Sequence, residues 1–386
     1  MFGTLRAGSY RDVLLLPSAL RTFVPALLGR LSYGLLPLSL LMTVRHSTGS
    51  FAIAGAAVAV FGVSSLSMPY KARLVDRYSQ RRVLPFLATG SSAGLFLISG
   101  TPNTAVLLVL VGVTGLLAPP LGPSMRSNWR LLTDGLPLKE RAYALDAVAE
   151  ECLFLGGPLI AGTLIGVFAA PIALACSAAL MLLGTLAMVS SPVTTHAAPP
   201  AHARHPLGPL VLPGLRRVML VILLTAAGIS TAYLCVAAVA QQAGHSGAAG
   251  YVEAAIAAGS VVGGILWARR SHTRSSSSHL AALIAVLAAG LLTASVMPGL
   301  IPLGAVLGVA GAAVAPLFVV AYLAADSVTP PHQRTEASTW INTSNNLGSA
   351  AGSAATGVLV QHTSPTWGFV AGGVLLALVA LRQARE

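Results

Sequence analysis

Residues Arg141–Gly162 read RAYALDAVAEECLFLGGPLIAG, an apolar stretch that carries three carboxylates. We interpret this stretch as a membrane-spanning helix, since about 20 residues cross the hydrocarbon core of a bilayer. An acidic side chain that faces lipid there costs roughly 2.5–3.5 kcal/mol. Asp146, Glu150 and Glu151 should therefore face a partner or a water-filled cavity. Asp146 and Glu150 share one helical face because they are four residues apart, and Glu151 lies on the neighbouring face.

Glycine and proline follow the acids in the same stretch, at Gly157, Pro158 and Gly162. Small residues let another helix approach closely, and proline removes one backbone hydrogen bond of its own helix. The segment therefore predicts a hinge in a moving helix, with simple close packing between helices as the alternative.

The composition of the chain is that of a polytopic membrane protein. Of its 386 residues, 55% are hydrophobic and only 9% are charged, whereas a soluble domain carries about 25% charged residues. The net charge of +12 does not indicate a nucleic-acid partner, because the basic residues lie in short loops between apolar segments. The three cysteines, Cys152, Cys176 and Cys235, match no disulfide or metal-binding pattern. We therefore expect an all-α membrane protein whose partners are the lipid bilayer and a small molecule.

Apolar segments long enough to cross a membrane predict twelve helices. They lie at roughly 19–44, 51–70, 83–101, 104–125, 142–166, 169–190, 218–240, 247–268, 279–297, 300–325, 336–360 and 365–381. Lysine and arginine fall at the termini or in every second loop, with Arg30 and Arg45 as the exceptions. Because basic loops remain in the cytoplasm, both termini are predicted to be cytoplasmic, in a multi-pass protein of the cell membrane.

The two halves of the chain show an internal repeat. A shift of about 195 residues places Gly157 on Gly352 and Gly162 on Gly357. Residues 191–217 are rich in proline and histidine and read as a cytoplasmic linker. The repeat predicts two pseudo-symmetric six-helix bundles in parallel orientation, one in residues 1–190 and the other in 218–386.

Two motifs resemble signatures of a known transporter family. The segment after the second predicted helix resembles G-x-x-x-D-R-x-G-R-R, with Ser79 and Gln80 at the positions of a glycine and a basic residue. The residues that we assign to it are Asp76, Arg77, Arg81 and Arg82, of which Arg82 directly follows the last position. Residues Gly157–Gly162 resemble the antiporter signature G-P-x-x-G-G. Together with the twelve helices and the repeat, these motifs make the chain resemble the major facilitator superfamily, and more narrowly its bacterial drug or metabolite efflux members.

The resemblance implies that the two bundles rock around a central site, so that the site opens to each side of the membrane in turn. It also implies a role for Asp76 as a cytoplasmic gate latch, paired with Arg126 or with a helix end of the other half. The alternative for this segment is a solvated loop that only sets the orientation of the chain in the membrane.

The sequence also predicts residues for coupling and for the cavity. Arg30 and the acids of the fifth helix lie at similar depth, roughly 13–17 Å from the cytoplasmic face, which predicts either a static buried ion pair or a proton carrier. Glu253 is expected either to couple protons or to reach the outer surface. The amides in the eleventh helix predict either a cavity lining or hydrogen bonds between helices; they are Asn342, Asn345 and Asn346.

These observations predict a proton-coupled secondary transporter, an efflux antiporter for a small organic compound. No phosphate-binding Walker loop is present in the sequence, so we expect the proton gradient to supply the energy, with no cofactor or metal. The chain is predicted to be a monomer and not an enzyme. The alternatives are an importer or facilitator on the same fold, and a polytopic membrane protein that does not transport.

Overall fold

The computed structural model describes residues 10–101, 103–195, 208–268, 275–330 and 334–385. Throughout these ranges the regular elements are helices. A short helix, Tyr10–Leu14, precedes the first long one and buries Val13 against the first half. Of the predicted linker, residues 196–207 lie outside the described ranges, and the boundaries that we proposed for the two bundles stay predictions.

Six helical segments form the first half. They are α1 (Ala19–Thr48), α2a (Phe51–Val63) continuing through a 3-10 turn (Ser64–Ser67) into α2b (Met68–Tyr78), α3 (Gln80–Ile98), α4a (Thr104–Leu117) followed by α4b (Leu121–Leu132), α5 (Lys139–Val167) and α6 (Ala170–Val189).

Six further segments form the second half. They are α7 (Pro213–Gln242), α8 (Ala248–Ala268), α9 (Ser276–Ala294), α10a (Leu300–Gly311) followed by α10b (Val314–Ser327), α11 (Arg334–His362) and α12 (Pro365–Ala384). In the described residues, nine of the twelve segments are long and apolar enough to cross a membrane. The segments α2, α3 and α11 are more polar or have a shorter apolar part, so the total of twelve spans stays a prediction.

Two predicted helix ends were wrong. The second helix continues to Tyr78 and the fourth to Leu132, so the basic residues that we expected in loops lie on helices. The reason is that lysine and arginine are good helix formers, and charge alone does not end a helix. Arg126 therefore lies within α4b, and Asp76 lies on α2b, although the side chain of Asp76 is outside the described part.

A single residue, Ser79, connects α2b to α3. Its backbone has φ 75° and ψ 152°, a combination that is essentially restricted to glycine because a Cβ atom is strained there. Ser79 occupies the position at which the signature that the chain resembles has glycine, a residue that adopts this conformation without strain.

We expect Ser79→Gly to stabilise the protein by about 1 kcal/mol. Strain at such a residue costs about 1–3 kcal/mol, and the greater freedom of glycine in the unfolded chain offsets about 0.4–1 kcal/mol of the gain. Thermal unfolding in detergent measures the change. Ser79→Ala is the matched control, because alanine keeps the Cβ and should bring no gain. An unchanged midpoint for the glycine variant would argue against strain at this turn.

The two halves meet along two helix pairs, α2 with α11 and α5 with α8. Gln361 accepts a hydrogen bond of 2.8 Å from the backbone N–H of Phe51. On the other pair, a Cβ at Gly162 would lie 2.7 Å from the Cα of Gly250, so the two backbones touch. These contacts lie toward the end of the bundle where α2 begins and α5 ends. We call this the closed end, and we call the opposite end, where Ser79 and Leu132 lie, the basic end.

Candidate functional site

A break in the fourth helix shapes the site. Between α4a and α4b the chain passes through Pro119 and Pro120, which have no backbone N–H to continue the helix. Two side-chain donors satisfy the carbonyls that are left at the break. The Lys71 ammonium, 4% exposed, donates to Gly115 O at 3.2 Å and to Ala118 O at 2.8 Å. The Tyr33 hydroxyl donates to Pro119 O at 2.6 Å. The carbonyls of Gly115, Ala118 and Pro119 at the break therefore all accept hydrogen bonds.

A buried amide pair fixes the orientation of α4b. Gln80 donates to the side-chain oxygen of Asn128 at 3.0 Å, and Asn128 donates back to Gln80 at 3.1 Å. At the next residue of α4b, the Trp129 ring packs against the Phe23 ring, with centroids 5.1 Å apart. Gln80 stands where the family signature has a basic residue, and here its amide holds the helix that carries Arg126.

Arg30 forms the centre of a buried ionic cluster between α1 and α5. Its Nη1 donates to Asp146 Oδ1 at 2.7 Å, and its Nη2 lies 2.9 Å from Glu150 Oε2. The side chains of Arg30 and Asp146 are only 4% and 2% exposed. The Nη2 contact lacks hydrogen-bond geometry, so it is ionic only. The structure thus brings together Arg30, Asp146 and Glu150, while the side chain of Glu151 is outside the described part.

Arg126 approaches the same acids more loosely. Its Nη1 lies 3.7 Å from Glu150 Oε2 and 4.0 Å from Asp146 Oδ2, which is too far for hydrogen bonds. The side chains of Arg126 and Glu150 are 48% and 35% exposed. The cluster therefore has a buried part around Arg30 and an open part formed by Arg126 and Glu150.

The second half supplies an uncharged polar wall that faces this open part. Tyr322 on α10b donates to Asn342 Oδ1 on α11 at 2.7 Å. The Tyr322 hydroxyl is close enough to Glu150 and Arg126 for both charges to act on it. Asn342 and Asn346 are exposed, and Asn345 is partly exposed. Tyr322 therefore places the second half next to the open part of the cluster.

The sequence model of the Major Facilitator Superfamily matches residues 22–318 of the chain. The chain belongs to the major facilitator superfamily. A search of curated proteins finds no match.

Solved structures confirm the predicted fold class. A point mutant of the nucleoside transporter NupG superposes with a TM-score of 0.77 at 14% identity, covering 95% of this chain and 98% of that one. A bacterial homologue of the human lysosomal transporter Spinster, crystallised inward-facing and occupied, gives 0.72 at 14% identity, with 98% of each chain covered. A mutant of the peptide transporter POT gives 0.70 at 15% identity, again over 98% of each chain. At these identities the likeness concerns the fold alone.

The major facilitator signature after α2 is distributed over a helix end and a turn. Arg77 lies over the Tyr78 ring with its guanidinium carbon 5.2 Å from the ring centroid. Arg81 donates to Ser191 O at 3.2 Å, and Arg82 is exposed. We expected Arg126 as a partner of Asp76, but the structure places it beside Asp146 and Glu150. The latch role of Asp76 stays a prediction.

The antiporter-like segment of α5 is continuous helix through Pro158. Gly157 packs against the backbone of Gly34 on α1, within the first half. Gly162 packs against α8, across the two halves. Both glycines therefore lie at close backbone contacts, and a hinge at this segment stays a prediction.

Glu253 is buried within α8, at 7% exposure, and does not reach the outer surface. The Tyr233 hydroxyl on α7 lies close enough to be affected by its charge. The carboxyl has no hydrogen bond or ion pair to any residue in the described part of the chain.

Sequence reasoning missed Lys71, Tyr33, Gln80 and Tyr322. A signal existed only for the helix break, because the adjacent prolines at 119 and 120 interrupt the fourth apolar segment. The partners that satisfy the break come from distant parts of the chain.

Proposed function

We propose that this major facilitator superfamily protein is a proton-coupled efflux antiporter for a small organic compound. One observation carries the proposal: Glu150 is in ionic contact with the buried Arg30 and is also partly exposed, near Tyr322 of the second half. A carboxylate beside a fixed cation changes its interaction with that cation when it gains or loses a proton. Coupling of this kind needs the proton gradient as its energy source and no cofactor.

The geometry suggests a sequence of events for transport. Asp146 stays paired with Arg30 and keeps that arginine in place. Protonation of Glu150 would remove its attraction to Arg30 and Arg126, and this change in charge would favour one packing of the halves over the other. Substrate bound beside the same residues would favour the opposite packing of the two halves. Exchange across the membrane requires this opposition between proton and substrate.

The orientation and assembly belong to the same proposal. We assign the basic end to the cytoplasm, with both termini there and the chain in the cell membrane as a monomer. The helix contacts at the closed end would then lie on the outer side of the membrane.

The coupling is tested by Glu150→Gln in a host that expresses the chain. A panel of small organic compounds is measured for efflux with and without a proton uncoupler. We expect uncoupler-sensitive efflux to fall at least about tenfold in the variant, with exchange retained when the compound is saturating on both sides.

Asp134→Asn is the matched control for this test, because Asp134 is an exposed acid in the turn before α5. Full uncoupler-sensitive transport by Glu150→Gln would exclude Glu150 as the proton carrier. Uncoupler-sensitive accumulation inside the cells, instead of efflux, would identify an importer on the same fold.

A further inference from the structure

We infer that the transported compound is a zwitterion, with an anionic group bound by Arg126 and an ammonium group bound by Glu150. This inference rests on the proposed function, because it concerns the substrate of the same site. It goes further by assigning the chemical class of the substrate and the residue that recognises each of its charges.

The first argument is the contrast between the two arginines of the cluster. Arg30 is buried and makes a close hydrogen bond with Asp146, so its role is to stabilise the contact between α1 and α5. Arg126 is about half exposed and makes no hydrogen bond to any residue in the described ranges. A guanidinium carries five N–H donors in a planar fork that suits a carboxylate. Arg126 therefore has unused N–H donors on a side chain that is about half exposed.

Glu150 likewise has capacity to accept further hydrogen bonds. Its two ionic contacts both involve Oε2, at 2.9 Å from Arg30 and 3.7 Å from Arg126, and neither is a hydrogen bond. Within the described structure, Oε1 has no polar partner. A carboxylate oxygen of this kind can accept hydrogen bonds from an ammonium group.

The second argument is the balance of charge at the opening. The exposed cation and the exposed anion lie side by side, so a compound with one charge gains one partner and is repelled by the other group. A zwitterion inserts between Arg126 and Glu150 and gives each a partner of opposite charge. The facing pair of Tyr322 and Asn342 is uncharged and offers hydrogen bonds to the polar remainder of the compound.

The test uses matched sets of compounds that share one hydrocarbon side chain. An aliphatic set is norleucine, pentylamine, hexanoate and hexanamide, and an aromatic set is phenylalanine, phenethylamine, 3-phenylpropanoate and 3-phenylpropanamide. Binding to the purified protein in detergent is measured at equilibrium, by thermal shift and by competition, with no proton gradient present. We expect the zwitterion to bind at least about tenfold more tightly than the other members of its set, as one charge-assisted hydrogen bond would provide.

Charge-removing variants make the test specific. Arg126→Gln should weaken binding of the zwitterion and the acid about tenfold or more while leaving the amine unchanged or improved. Glu150→Gln should do the reverse: it should weaken binding of the zwitterion and of the amine but not binding of the acid. Arg130→Gln is the control, because Arg130 lies one turn further along α4b and is exposed. It should change none of the affinities.

The inference is overturned if the amine or the acid binds as tightly as the zwitterion, or if no zwitterion in the sets binds. It is also overturned if both variants weaken binding of all four compounds equally. The outcomes also separate this inference from the proposed function. Selective zwitterion binding without uncoupler-sensitive transport rejects proton coupling and leaves the inference standing. Proton-coupled transport of amines alone supports the proposed function and overturns the inference about a zwitterion.

Discussion

Replacing Arg30 with alanine should destabilise the protein by about 3–5 kcal/mol, the typical cost of removing one partner from a buried ion pair. Asp146 is 2% exposed, and its closest cation is Arg30 at 2.7 Å. Without that cation the carboxylate stays buried next to Arg126, which is 4.0 Å away and half exposed. We therefore expect a large loss of folded yield and a lower thermal midpoint in detergent.

A second variant tests whether the effect comes from charge. Arg30→Ala combined with Asp146→Asn removes the uncompensated charge, so it should recover part of the yield and part of the thermal midpoint. Arg21→Ala is the matched control, because Arg21 is an exposed arginine on the same helix. A stable, monodisperse Arg30→Ala protein would show that the cluster does not support the fold.

Gly162→Val should shift the protein away from the packing seen in this structure. A Cβ at Gly162 would lie 2.5 Å from Gly247 O and 2.7 Å from the Cα of Gly250, so valine cannot fit while α5 and α8 touch. Overpacking of this kind costs about 1–3 kcal/mol. Since the contact belongs to the closed end, that energy shifts the equilibrium about 5- to 150-fold toward states in which this end is open.

Spin labels at the start of α4a and of α10a measure this shift. Ala105→Cys and Ile301→Cys place them on exposed positions at the closed end of the two halves, after replacement of Cys152, Cys176 and Cys235. The distance between the labels should lengthen in Gly162→Val. Gly156→Val is a matched control, because a Cβ at Gly156 meets nothing within 4 Å. Equal distance distributions in both variants would show that this contact does not close the bundle.

The fold could be predicted largely from the sequence because hydrophobicity and charge act locally. A composition with 9% charged residues, together with apolar segments of membrane-spanning length, identifies a helical membrane protein. The four-residue spacing of Asp146 and Glu150 places them on one helical face regardless of what packs there. The family resemblance came from short local motifs, and the match over residues 22–318 confirms it.

The sequence alone determined that acids and an arginine lie at similar depth in a membrane, but only the tertiary structure decided which of them meet. Arg30 and Asp146 are 116 positions apart, and their contact depends on the rotation and packing of two helices. Likewise, the helix break lets Gln80 and Lys71 orient α4b, and that orientation brings Arg126 to Glu150. The periodicity of a helix identifies the face that a side chain occupies, whereas its partner is set by packing that no local pattern encodes.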